Sequence, residues 1–161
     1  MSTTPVFNNP LESALRSLAL LVEAHPDTLD LQKLVYFDYL LVHSADANGP
    51  FSLHPPTPQR EGEIAVRRDL IEHGLHLLVV RGLVEQRATN EGFEYAAGDL
   101  AGSLIASLTT EYSHLLLDRA VWVTETFGKN GVESLNAFFR ERIGRWQEEF
   151  MLTAPDEEDV A

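Results

Sequence analysis

IAVRRDLIEHGLHLLVV at positions 64–80, followed by RGLVE at 81–85, TNEG at 89–92 and FEY at 93–95, is the stretch whose reading decides the fold. Ile64, Ile71, Leu75 and Leu78 recur at helical spacing and Leu70 and Leu77 widen the stripe, so the segment from about Glu61 to Val80 reads as amphipathic helix. Gly82 stands where a C-terminal cap belongs. Alternating stretches at 83–87 and 93–97 around Asn90-Glu91-Gly92 read as a hairpin. A helix running straight into a two-stranded hairpin is the closing part of a winged helix, which points to a binder and not a catalyst. Gly74 inside the helix costs about 1 kcal/mol relative to alanine. It marks either a closely packed neighbour or a break of Glu61–Val80 into two helices, and the periodicity fits both.

Working outward, Asn9, Pro10 and Glu12 stand in the order of a helix start, and Leu11, Leu15, Leu18 and Val22 follow at helical spacing until His25-Pro26. Asp30 caps a second helix, through Val42 and beyond, whose circumference is almost wholly apolar or aromatic. Such a helix belongs at the centre. Residues 45–50 end it, and Pro50, Pro55, Pro56 and Pro58 make the next stretch stiff and extended. Beyond the hairpin, Asp99 is placed to cap a short helix, Thr109 or Thr110 a longer one closed by Gly128, and a last helix runs from about Val132 to Phe150. The expected class is mainly α: a winged helix-turn-helix-like domain with a small β-hairpin and additional C-terminal helices. Residues 1–152 form one domain in this reading, and 153–161, with Asp156-Glu157-Glu158-Asp159, an acidic disordered tail.

Composition sets bounds on function. The formal net charge is -13, the wrong sign for the phosphate backbone of DNA. Residues 59–98 carry seven acids against five bases, so even the wing region lacks a basic stripe. The acidic balance points toward protein partners. With no cysteine, disulfides and thiolate zinc sites are excluded; the start lacks a secretory pattern and no apolar run is long enough to span a bilayer. The expected location is cytoplasmic.

Few residues suggest chemistry. Asp38 lies among Leu34, Val35, Leu41 and Val42 on its helix, and a carboxylate in an apolar face must find a partner or take up a proton. It is either an acid/base group or ligand, or a structural residue in a salt bridge to an arginine such as Arg60, Arg67 or Arg68 or in a hydrogen bond to a tyrosine; the structural use is the commoner one for such a residue. Of six histidines only His73 and His76 stand at a metal-compatible local spacing, and a third ligand would have to come from His43, His54 or a carboxylate. Phosphate loops, GxSxG and cysteine nucleophiles are missing. No catalytic residue, cofactor, metal or small-molecule substrate is expected. Arg67-Arg68, Arg81 and Arg87 could touch phosphate, but Glu61, Glu63, Asp69, Glu72, Glu85, Glu91 and Glu94 surround them. On the last helix Arg140, Arg142, Arg145 and Trp146 have the composition of an interface, although its aromatics also fall on one core-like stripe.

Three stretches carry a resemblance: LDLQKLVYFDYLLVHS at 29–44, SLHPP at 52–56 with REGEIAVRRDLIE at 60–72, and FFRERIGRW at 138–146. Together with RGLVE they resemble the middle component, class 2, of bacterial ABC three-component systems. The resemblance implies a small, non-catalytic winged-helix adaptor that works between an SMC/Rad50-like ABC ATPase and an effector subunit. Such systems look like antiphage or conflict-defence modules, similar in logic to Lamassu, in which DNA contact by this subunit would be indirect. On this view Asp38, His43, His54, Arg60, Glu63, Arg67 and Arg68 form a candidate polar cluster, with the Pro-rich loop laying His54 and Arg60 against the helix of Asp38 and His43. Two alternatives stand beside the adaptor: a winged-helix transcription regulator binding an operator, and a kleisin-associated condensin accessory subunit.

Overall fold

A computed structural model describes residues 9–56 and 60–153, with side chains described except at 60–61 and 145–153. Helix α1 is Pro10–Ala24, strand β1 Leu29–Asp30, α2 Leu31–Val42, α3 Arg60–Val80, β2 Val84–Thr89 and β3 Gly92–Ala97. The helices α4, α5 and α6 are Ala101–Ala106, Glu111–Phe127 and Val132–Thr153. The fold is mainly helical with one small antiparallel sheet in the order β1-β3-β2.

Local chemistry explains most boundaries. Asn9 accepts a 2.8 Å hydrogen bond from the Glu12 N–H, and Asp30 does the same for Lys33, each meeting a donor the helix cannot satisfy itself. At the far end of α3, Gly82 takes φ +72; its N–H donates to the Val79 carbonyl and that of Leu83 to the Leu78 carbonyl. This paired closure needs a left-handed residue, hence glycine.

Helix α2 is central: every residue from Leu34 to Val42 is buried, and α1, α3, α5 and α6 pack around it. Helix α3 is one unbroken helix. At Gly74 an added Cβ would lie 3.1 Å from the Ala14 backbone, so this glycine serves close packing of α1 on α3 and not a break. On α6, Leu135 and Phe139 are buried, and the Phe139 ring stacks on Tyr36 at 4.2 Å.

Three expectations need correction. The hairpin gains a third strand, because Leu29 and Asp30 pair with Tyr95 and Glu94 of β3; Asp30 is both strand end and helix cap. Helix α2 ends at Val42, and Ser44–Ala47 forms a 3-10 turn instead of extending it. Asp99 does not cap α4, whose N-cap position is Leu100 with no side-chain hydrogen bond. The acidic stretch 154–161 lies outside the described residues.

Candidate functional site

Asp38 has no exposed surface, and two arginines from different helices hold it. Arg16 of α1 donates through Nε to Oδ1 at 2.8 Å and through Nη2 to Oδ2 at 3.4 Å, and Arg67 of α3 donates through Nη1 to Oδ2. Burial alone would push the carboxyl up, but the two guanidinium groups outweigh it and hold Asp38 below the usual carboxylate range. For Arg16 burial acts downward, and the attraction of Asp38 and Glu12 raises it. The carboxylate stays charged because its cations are as buried as it is: Arg16 is 0% and Arg67 3% exposed.

The network continues outward on both sides. Arg67 also donates to Glu63 Oε1, one turn earlier on α3, and His43 Nε2 lies 2.7 Å from the same oxygen. A carboxylate only accepts, so Nε2 is the protonated nitrogen of His43. On the other side Arg16 lies 3.7 Å from Glu12, whose Oε1 accepts from the Tyr112 hydroxyl of α5 at 3.0 Å. His54 Nε2 donates in turn to the Tyr112 oxygen at 3.0 Å. Burial and the guanidinium groups of Arg16 and Arg67, with the His43 ring beside it, depress His54 to about 4, so it is neutral at pH 7. The Tyr112 phenol is raised by burial and by Glu12.

The loop after α2 is tied into this arrangement by its backbone. The Leu53 and His54 N–H groups both donate to the Val42 carbonyl, at 2.9 and 3.0 Å. Arg119 of α5 donates to the Phe51 carbonyl at 2.8 Å and lies over the Phe51 ring. At Gly49 an added Cβ would stand 2.2 Å from the Trp122 ring, so the loop lies flat on α5.

Of the seven residues expected in the cluster, Asp38, His43, Glu63 and Arg67 are in direct contact. His54 joins through Tyr112, and its ring lies 6.1 Å from that of His43. Arg68 does not join: it is exposed and donates to Gln32 at 2.8 Å. The Arg60 side chain lies outside the described residues, as do those of Arg145 and Trp146. Arg140 is exposed, and Arg142 lies over the Phe138 ring at 5.3 Å. Sequence reasoning missed Arg16, Glu12 and Tyr112. Arg16 was detectable by the criterion that exposed Asp38, since it is the single charge between Glu12 and Glu23.

The arrangement is a clamp. Its members come from α1, α2, α3, α5 and the loop and bond mainly to one another, while Arg67 Nε is buried with no hydrogen-bond partner among the described residues. His73 is exposed, bonded to the Asp69 carbonyl, and among the described residues no group of three or more metal-ligating side chains is assembled. No described helix is long and apolar enough to cross a membrane.

The family model described as ABC-three component (ABC-3C) system Middle Component 2 matches residues 6–149. No curated protein and no solved structure matches the chain.

Proposed function

We propose a role that starts from what the chain is: it belongs to the middle component 2 family of ABC-three component systems. The protein is a non-catalytic adaptor that binds an SMC/Rad50-like ABC ATPase on one side and an effector subunit on the other, within a conflict or antiphage defence system. The order α1-β1-α2-α3-β2-β3 with a β1-β3-β2 sheet supports a winged-helix reading, in which α3 would take the place of the recognition helix. Family membership supports a place among the other components of such a system.

The observation that carries the adaptor reading is the outward face of α3. Val66, Leu77 and Val80 are 61%, 42% and 71% exposed, and at 100° per residue they fall on one stripe. A recognition helix meant for DNA puts arginine and lysine there. Here Arg67 is turned inward onto Asp38 and Glu63, and on the wing Arg87 is paired with Glu85 at 2.8 Å. Three exposed aliphatic side chains on one face, with the exposed His73 among them, suit a protein surface.

A gel-shift series in rising salt separates this reading from an operator-binding regulator. The adaptor alone leaves duplex DNA unshifted at about 0.15 M salt, a condition under which a regulator still binds and shows a steep salt slope. The mass of the purified chain, alone and with the other components, separates it from a kleisin-associated dimer.

A further inference from the structure

We propose that β2 pairs edge to edge with β2 of a second copy of this chain, antiparallel and centred on Gln86, joining two three-stranded sheets into one. In the order β1-β3-β2 the last strand is an edge, and residues 85–89 are all exposed. An open edge is a row of unpaired backbone donors and acceptors, a template for another strand. Chains commonly blunt such an edge with proline, a bulge or a very short strand. Strand β2 runs for six residues without proline, in unbroken register against β3.

The backbone limits the registers. The Leu83 carbonyl accepts from the Gly98 N–H at 2.9 Å, in step with the pairing of Val84 and Ala97. Strand residues alternate, so Glu85 and Arg87 follow Leu83 in facing β3, and the N–H and C=O groups of Val84, Gln86 and Ala88 face the open edge. Side chains choose among the registers that remain. A pair centred on Glu85 sets carboxylate against carboxylate, and one centred on Arg87 sets guanidinium against guanidinium. Centred on Gln86, Glu85 of each copy stands opposite Arg87 of the other, at the non-hydrogen-bonded positions where side chains lie closest. Glu85 and Arg87 already bond within the strand at 2.8 Å, so the dimer closes a ring of four alternating charges. On the other face Phe93, 55% exposed, stands opposite Ala88, and Val84 and Ala97 of the other copy extend these two into one apolar row. Two strands of this length bury well under the about 1,200 Å² of a standard interface. The expected Kd is therefore on the order of 0.1 mM, and the chain is single at low micromolar concentration. Self-pairing of this edge is independent of the adaptor role, and the purified chain alone is enough to test it.

Sedimentation equilibrium of the full chain from about 5 μM to about 1 mM should show the mass rising from one chain toward two. Glu85→Arg and Arg87→Glu each place like charges opposite one another and weaken self-association about tenfold. Mixing these two variants restores opposite charges at both crossings and recovers the wild-type Kd. The register is read separately. The chain has no cysteine, so Gln86→Cys supplies one thiol facing its copy across the axis, with Cα atoms about 5.5 Å apart and within disulfide reach. In Ala88→Cys the two thiols stand four residues out of step, about 13 Å apart and beyond that reach. Oxidation at about 0.5 mM should link the first variant and leave the second single. Where a charge variant melts lower than the wild type, the cysteine pair carries the test. A mass of one chain at every concentration overturns the proposal and leaves the edge to a strand of another protein. Unchanged affinity in folded charge variants, failure of their mixture to recover it, or linking of Ala88→Cys as readily as Gln86→Cys overturns it too.

Discussion

A carboxylate with no exposed surface keeps its charge only while the cations beside it are themselves anchored. Arg16 is anchored toward Glu12 and Arg67 on Glu63, so removing Asp38 strands two buried guanidinium groups at once. Asp38→Asn is expected to cost about 3–5 kcal/mol, the range for breaking a buried pair by losing one partner. Urea unfolding checks this, and a loss under about 1 kcal/mol would show that the clamp contributes little. The pH dependence has two windows. His54 is depressed from 6.5 to about 4, so as pH falls below about 6.5 the unfolded chain takes up a proton that the folded one refuses; stability declines until about pH 4 and that contribution then levels off. Asp38 is also depressed, and its contribution is present above the ordinary aspartate value and lost as pH falls through the folded one. His54→Gln should flatten the upper window and leave the lower one, measured as the urea midpoint from pH 7.5 to 3. An upper slope that persists in this variant assigns it to another group. Asp38 was legible in the sequence because a charge amid apolar residues has few fates. Its main partner was not, since sequence spacing says nothing about which helix will cross opposite.

Elements report on packing where they meet. Alanine is normally the better helix residue by about 1 kcal/mol, yet Gly74→Ala should destabilise by about 1–3 kcal/mol, the range for overpacking. Its Cβ would press on the backbone of Ala14, which is itself buried and cannot swing aside as a side-chain tip could. A rise in melting temperature for this variant would mean that α1 and α3 are further apart than described. The same scale shows what patterning reveals. Asn9, Thr110 and Gly82 end helices where local chemistry requires it, and these boundaries follow from neighbours in sequence. The two-residue β1 is fixed only by pairing with Tyr95 and Glu94, far along the chain, and two residues are too few to show an alternation. Leu100 precedes α4 without a cap; the backbone of that short helix is held instead by the turn after β3, where the Ala101 N–H donates to the Gly98 carbonyl.

At the scale of the whole molecule, the -13 charge and the inward turn of Arg67 act in the same direction, each lessening the attraction of this chain for a phosphate backbone, while Val66, Leu77 and Val80 stay exposed on α3. The charge was legible from composition. The fate of Arg67 was not, because Arg67 and Arg68 are adjacent in sequence but 100° apart around the helix, so one enters the clamp while the other meets Gln32. Exposed positions tolerate polar substitution within about 0.5 kcal/mol, so the stripe can be altered without unfolding the protein. The most direct test is affinity recovery of the proposed ATPase and effector partners, comparing the wild type with a Val66→Asp, Leu77→Asp, Val80→Asp variant of unchanged melting temperature. The adaptor account predicts that the wild type retains both partners and that the variant loses at least one. Recovery of neither by the wild type, or of both undiminished by the variant, would contradict it.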